Sequence, residues 1–164
     1  MHASLRIKDV ERITLRVPFT ETAARWNALL VWQWQIVEII RVTTDDGTVG
    51  YGETLPHYTW GRVSDEALER VRGRNPAELL GDTSFGAGLE MAIYDVVGKA
   101  LGVPVYDLLG GAVRDRMKLY WSHCGTYLMN PVASKAIGQP QLKNLDDLVA
   151  LGARVRESGY TGLK

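Results

Sequence analysis

The stretch FGAGLEMAIYDVVGKALGVP, residues 85–104, decides the fold of this chain. Its apolar residues recur at the spacing of a helix with one buried face, namely Leu89, Ala92, Ile93, Val96, Val97 and Ala100. Gly102 is suited to the end of a helix, and Pro104 prevents the helix from resuming. The stretch therefore predicts the longest helix of the chain.

Upstream of this helix, apolar residues alternate with polar ones, which is typical of strands. In ERITLRVPF, residues 11–19, the side chains of Ile13, Leu15 and Val17 alternate with polar side chains, and Pro18 ends the run. This alternation predicts a half-buried strand whose apolar face carries those three residues.

Two further strands and a turn complete a predicted β-meander. QIVEIIRVTT, residues 35–44, leads into Asp46 and Gly47, a pair that favours the positive φ angles of a tight hairpin turn, and TVGYGE, residues 48–53, follows. Residues 20–34 are too many for a hairpin turn and predict a loop with a function. Helix starts at Ser64 and at Asn75 come next, so the order of elements predicts an α+β domain.

The C-terminal part of the sequence predicts the beginning of a different domain. MKLYWS, residues 117–122, predicts a strand, and residues 127–141 predict a long polar loop. Residues 144–158 predict a helix and residues 160–164 a strand. Strand, helix and strand form one βαβ unit, whose parallel strands need helical cover on both faces. We therefore expect the opening of a larger α/β domain.

Composition limits the possible functions. Lys and Arg number 19, equal to Asp and Glu, and the pI is about 6.8, so no charge pattern favours nucleic acid or anionic lipid. Cys124 is the single cysteine, which excludes an internal disulfide and fits a reducing compartment. The N-terminal residues are charged where a signal peptide is apolar. We expect a cytoplasmic protein that binds small molecules or proteins and neither membranes nor nucleic acid.

Three motifs carry a resemblance to a known family. DDGTVGYGE (45–53), MAIYDVVGKALGVPVYDLLGGAVRDR (91–116) and GYTGLK (159–164) occur in this order and at these separations. Together they resemble the N-terminal part of the enolase superfamily, in its mandelate racemase and muconate lactonizing enzyme branch. The resemblance extends from about Ile13 to Lys164, and the middle motif is the most specific of the three.

The resemblance implies a fold and a chemistry. The fold is an α+β capping domain (residues 1–113), followed by the first βαβ part of a modified (β/α) TIM-type barrel (residues 114–164). In this branch a divalent metal, normally Mg²⁺, binds the carboxylate of an acid substrate, and a base removes the α-proton. Metal and cations are needed because a carbon acid beside a carboxylate is very weakly acidic. We expect the enzyme to be a homo-oligomer.

Lys164 is the catalytic residue that the resemblance implies. It matches the first lysine of a Lys-x-Lys pair on an early barrel strand, where one lysine depresses the pKa of the other. The second lysine and the acidic metal ligands would lie beyond Lys164, so we expect the chain to be the front of a longer enzyme. By the same resemblance Glu53 is a structural group near the junction of cap and barrel, and no metal ligand is predicted in this chain.

The resemblance also implies substrate contacts in two loops of the cap. Trp26 lies in the first long loop, which closes over the substrate in the family. His57 and Tyr58 lie in the second specificity loop. Tryptophans more often pack in a core, as we expect for Trp32 and Trp34. A loop histidine is often just exposed, so His57 could equally have no role.

A further set of contacts is implied at the end of the first barrel strand. Carboxyl-terminal strand ends face the active site of such barrels, which makes Ser122, His123 and Tyr127 candidate substrate-binding residues. His123 and Cys124 could suggest zinc, but two ligands without two more at suitable spacing do not predict a site.

Two functional classes remain open at this point. The first is a Mg²⁺-dependent acid-sugar dehydratase or racemase, with a muconate-type cycloisomerase or a dipeptide epimerase of the same fold as the near alternative. Polar residues in the loops favour a hydroxylated acid as the substrate. The second class is a non-catalytic cap fragment that acts as an interaction module.

Overall fold

The computed structural model describes residues 5–19, 32–58, 61–121 and 125–163. Among these residues, 5–18 and 32–112 belong to one compact unit, and 113–163 belong to a second. Trp26 and most of the long loop at 20–34 lie outside the described residues, as do Ser122, His123 and Lys164. Within the described ranges, no helix is both long enough and apolar enough to cross a lipid bilayer.

The first unit is built on a three-stranded antiparallel sheet. Its strands are β1 (Ile7–Arg16), β2 (Ile36–Thr44) and β3 (Val49–Thr54), in the order β1-β2-β3. The predicted meander is therefore confirmed, although β1 begins earlier than the alternation in residues 11–19 indicated.

The turn between β2 and β3 differs from the prediction. In this turn Gly47 has a positive φ of 87°, but Asp46 does not. Among the described residues, glycines alone have a positive φ, so Asp46 does not adopt the left-handed conformation. The Gly47 amide donates to the Thr44 carbonyl (3.0 Å), and the Asp46 carboxylate accepts from the Thr44 hydroxyl (2.7 Å) and the Thr48 amide (2.9 Å). These bonds hold the pKa of Asp46 below its ordinary value of 3.8.

The apolar face predicted for β1 is wrong. Leu15 and Val17 are 43% and 49% exposed. The pairing of Val10 with Val42 and of Arg12 with Ile40 places the even-numbered residues on the buried side, because directly paired residues share a face. The buried end of the strand begins at Ile7, and a register shift between Ile7 and Asp9 changes the alternation there.

Helices cover one face of this sheet. They are α1 (Asp65–Val71), two 3₁₀ helices (Pro76–Leu79 and Thr83–Phe85), α2 (Ala87–Leu101) and the short α3 (Val105–Leu108). The Ser64 hydroxyl accepts from the Ala67 amide and so caps α1 as predicted. The predicted helix start at Asn75 begins a 3₁₀ helix. Ala100 is exposed, so the buried stripe of α2 ends earlier than predicted.

Two glycines let α2 pack directly on β3. A Cβ atom added at Gly50 would lie 2.6 Å from the Val96 amide nitrogen, and one added at Gly52 would lie 2.7 Å from the Ala92 amide nitrogen. The helix backbone thus occupies the space of a side chain. The core around this contact is formed by the residues Ile7, Val10, Ile40, Val42, Val63, Ala67, Leu68, Val71, Leu79, Phe85, Leu89, Ala92, Ile93, Val96 and Val97.

The second unit contains the predicted βαβ elements and an additional helix. Strands β4 (Tyr120–Trp121) and β5 (Gly162–Leu163) pair in parallel, and α5 (Leu145–Glu157) precedes β5 in the chain. Strand β4 is shorter than the predicted run 117–122.

The predicted polar loop at 127–141 is also wrong. It contains the end of a 3₁₀ helix (Gly125–Met129) and a helix, α4 (Pro131–Ile137). The Asn130 side chain accepts from the Val132 amide (2.8 Å), proline occupies the first turn, and Gly138 ends the helix at φ 73°. These are ordinary helix start and stop signals, which the two prolines of the segment obscured.

Candidate functional site

The described candidate residues of the cap, His57 and Tyr58, lie in the segment that follows β3. Both are exposed, Tyr58 by 45%. The Tyr58 ring meets the Trp34 ring edge to face at a centroid distance of 5.3 Å, and the Tyr58 amide donates to the Leu55 carbonyl (3.1 Å). The loop thus presents an imidazole and a phenol at its surface while its backbone is held by local turns.

The two ends of this segment are joined by hydrogen bonds. The Thr54 hydroxyl donates to the Gly61 carbonyl (2.9 Å), and the Gly61 amide donates to the Tyr58 carbonyl (3.0 Å). Gly61 has φ 64°, a conformation that favours glycine. We call residues 55–61 the β3 loop, of which residues 55–58 and 61 are described.

A buried carboxylate, which the sequence analysis missed, lies at the base of the β3 loop. Glu38 on β2 is 0% exposed and pairs directly with Thr54 of β3. Its Oε1 lies 2.6 Å from Nε of Arg62, and its Oε2 lies 3.8 Å from Nε of Arg12. Neither carboxylate oxygen accepts a hydrogen bond from a described residue, so the attraction between opposite charges holds this cluster.

Arg12 connects this cluster to the start of α1. Its Nη2 atom donates to the Val63 carbonyl (2.5 Å) and to the Asp65 carboxylate (2.7 Å). The Arg12 side chain is 16% exposed, whereas that of Arg62 is 54% exposed. One guanidinium is therefore largely desolvated, and the other closes the cluster from the solvent side.

The alternation in β2 contained the signal for Glu38. Glu38, Ile40 and Val42 are separated by two residues each and must share one face of a strand. An ionisable side chain in line with two apolar core residues needs a charged partner when it is buried. The alternation in residues 11–19 predicts the opposite face of β1 as the buried one, and this conceals Arg12 as that partner.

No metal centre is formed by the described residues. Within the described ranges, no group of three or more His, Cys, Asp or Glu side chains has the arrangement that a metal ion requires. Glu53 is exposed on β3, opposite Ile39 of β2. The described acidic groups therefore do not fit a Mg²⁺ site, which needs several oxygen ligands around one point.

Tyr127 belongs to the second unit and is partly buried. Together with Trp121 and Tyr160 it packs against the small apolar core formed by Leu128, Leu142, Leu151 and Val155. The rings of Trp121 and Tyr160 meet edge to face at 5.4 Å. Tyr127 therefore has a packing role in this structure, and its substrate contact stays a prediction, like those of Trp26, Ser122 and His123.

The sequence and structure match one family. Residues 61–110 match the family described as mandelate racemase / muconate lactonizing enzyme, N-terminal domain. This match, within the first unit, confirms the predicted resemblance of the chain to the N-terminal part of the mandelate racemase and muconate lactonizing enzyme branch of the enolase superfamily.

Similar proteins agree with this placement. The chain is 33% identical to D-gluconate dehydratase of Thermoproteus tenax in an alignment of length 134 that covers 70% of this chain and 25% of that protein. It is 38% identical to D-galactonate dehydratase of Variovorax paradoxus (strain S110) in an alignment of length 100 that covers 49% of this chain and 26% of that protein. The chain thus spans about a quarter of the length of these relatives.

A solved structure has the same fold. A protein from Burkholderia xenovorans strain LB400, crystallised with magnesium and fumarate, superposes with a TM-score of 0.64 at 24% identity. The match covers 96% of this chain and 40% of that protein. The α+β cap followed by the first elements of a barrel is thereby confirmed as the fold class.

Proposed function

We propose that this chain forms the N-terminal part of a Mg²⁺-dependent enzyme that removes the α-proton of a carboxylate substrate and dehydrates an acid sugar. The observation that carries this proposal is the 33% identity to a D-gluconate dehydratase, in an alignment that covers 70% of this chain. In the proposed enzyme, residues 1–113 form the cap and residues 114–164 begin the barrel.

The cap selects the substrate in this proposal. The exposed His57 and Tyr58 offer a ring nitrogen and a hydroxyl, groups that suit the several hydroxyls of an acid sugar. Trp26 closes over the substrate from the first loop and excludes water. Because these residues contact parts of the substrate that do not react, they affect binding more than the chemical step.

Proton transfer takes place at the barrel. Lys164 lies beside the base and acts as a neighbouring cation, which lowers the pKa of the base and stabilises the substrate carboxylate. Ser122, His123 and Tyr127 contact the substrate from the first barrel strand. When bound, Mg²⁺ neutralises charge on the substrate carboxylate, with ligands from residues outside this chain. We propose a cytoplasmic homo-oligomer that acts on small carboxylates.

The test uses the protein translated from the complete reading frame that contains this sequence. It is incubated in deuterated water with Mg²⁺ and D-gluconate or D-galactonate, and both dehydration and α-proton exchange are measured. We expect Lys164→Ala to slow exchange with little change in KM, and His57→Ala and Trp26→Ala to raise KM with little change in kcat. A wild-type protein that neither dehydrates nor exchanges any acid of the panel contradicts the proposal.

A second candidate is a racemase, cycloisomerase or epimerase of the same fold. It is supported by the magnesium and fumarate in the similar structure, because fumarate is a carboxylate without hydroxyl groups. The same experiment distinguishes it, since α-proton exchange on mandelate, a muconolactone or a dipeptide without dehydration of any acid sugar favours this candidate. A non-catalytic cap fragment would give neither reaction.

A further inference from the structure

The buried Glu38 cluster has no place in the chemistry proposed above. A carboxylate on the core side of a sheet is costly to bury, and replacement by an apolar residue often improves stability. Glu38 nevertheless occupies the same face as Ile40 and Val42, fully buried. Its position at the end of the apolar stripe, next to Thr54, points to a role in the segment that leaves the sheet there.

Both partners of Glu38 act on the segment that leaves the β3 loop. Arg62 follows the loop directly, and its Nε lies 2.6 Å from Oε1 of Glu38. Arg12, the second partner at 3.8 Å, binds the next residue, Val63, through its carbonyl, and Asp65 through its carboxylate. The buried Glu38 carboxylate thus contacts residues 62–65 by two routes, directly through Arg62 and indirectly through Arg12 of β1.

The other end of the β3 loop is held by the same strand pair. Thr54 lies directly opposite Glu38 in the sheet and donates its hydroxyl hydrogen to the Gly61 carbonyl (2.9 Å). The two ends of the β3 loop therefore lie close together, and Glu38 lies beside both, opposite Thr54 at one end and in an ion pair with Arg62 at the other. His57 and Tyr58 extend outward from this base.

We propose that Glu38 is a positioning residue: through Arg62 and Arg12 it fixes the base of the β3 loop and so sets where His57 and Tyr58 are held. The loop's role in substrate selection rests on the function proposed above, whereas its fixation by Glu38 does not. Charge is the essential property, since the carboxylate acts through ion pairs and not through hydrogen bonds to described residues.

The test on the 164-residue chain is an NMR measurement of Glu38→Gln, which keeps the shape and removes the charge. We expect exchange of the Tyr58 and Gly61 amides to rise about tenfold and the contact between the Trp34 and Tyr58 rings to weaken, while exchange of the α2 amides changes less than about twofold. A purely stabilising role would instead raise exchange in the loop and in α2 by the same factor.

Two further variants make the outcome decisive. Arg62→Gln alters a half-exposed side chain, so it should fold even if Glu38→Gln does not, and should give the same local increase. Glu11→Gln is the matched control, because Glu11 on β1 also pairs with an arginine, Arg41 at 2.6 Å, and should leave the loop unchanged. Equal exchange in Arg62→Gln and wild type overturns the proposal.

The kinetic consequence is tested on the protein from the complete reading frame. Glu38→Gln should raise KM for the best acid substrate by about tenfold while kcat stays within about threefold, because the loop acts on binding. If wild type converts no acid, the proposed function fails, and the amide exchange alone still decides whether Glu38 fixes the loop. Normal amide exchange in both variants contradicts the inference, whatever the enzyme does.

Discussion

The direct contact between β3 and α2 predicts that a single methyl group at Gly52 destabilises the first unit. A Cβ atom there would lie 2.7 Å from the Ala92 amide nitrogen and 2.9 Å from the Met91 Cβ. The Gly88 carbonyl oxygen lies closer still, and all three atoms are fixed to the helix. No flexible side chain can therefore rotate away, and α2 must move by more than about 0.7 Å to reach ordinary contact. The cost of such overpacking is about 1–3 kcal/mol or more.

The net change can be estimated from opposing effects. Alanine lowers the conformational entropy of the unfolded chain and so raises the free energy of unfolding by about 0.4–1 kcal/mol. Since the displaced group is helix backbone, we expect the cost of overpacking to lie at the upper end of its range. The free energy of unfolding should therefore fall by about 2–3 kcal/mol in total. For a domain of this size that loss lowers Tm by roughly 8–20 °C.

The assay is native-state hydrogen exchange of the α2 amides, because the two units need not unfold together. Gly152→Ala is the matched control: an added Cβ at this position in α5 meets nothing within 4 Å. It should stabilise α5 by about 0.5–1 kcal/mol and leave α2 unchanged. Gly52→Ala with α2 protection within about 0.5 kcal/mol of wild type would refute the reasoning.

Three further predictions concern a turn, a helix start and metal binding. Asp46 has a lowered pKa, so its carboxylate adds stability above its unfolded pKa of 3.8 that is lost as the pH falls through the lower folded value; the Tm difference between wild type and Asp46→Asn should be largest near pH 7 and should shrink as the pH falls below 3.8. Asn130→Ala should cost about 1 kcal/mol and expose the Val132 amide to exchange, whereas Asn130→Asp, which still accepts that bond, should stay close to wild type. The 164-residue chain should show no saturable Mg²⁺ heat in calorimetry below about 1 mM, and a stoichiometric isotherm would contradict this.

The order of elements could be predicted because each depends on local signals. The helix at Ala87–Leu101 has a long apolar period and ends at a glycine. Ser64 caps the earlier helix at Asp65–Val71. The motifs at 45–53 and 91–116 identified the family because they combine such signals at fixed separations. Local chemistry was therefore sufficient for the strands, the main helices and the fold class.

The errors came from features that depend on pairing. The buried side of β1 follows from its register with β2, in which Arg12 opposes Ile40, and a sequence does not display a register. The same error hid the partner of Glu38. The helix at Pro131–Ile137 differs from the predicted polar loop for another reason, because its start depends on the Asn130 side chain, which accepts from the Val132 amide, and on a proline in the first turn.

The glycine contact between β3 and α2 also limits how the cap can move. Packed elements usually slide past one another by exchanging side-chain rotamers, but at Gly50 and Gly52 the strand offers no side chain to the helix. Sliding α2 would bring its backbone against the side chains of Ile40 and Val42, which lie beside these glycines on the same face of the sheet, so the strand and helix must move as one rigid body. A loop that starts at the end of β3 therefore starts from a fixed strand, and in the proposed enzyme any movement of His57 and Tyr58 toward a substrate has to arise after Thr54.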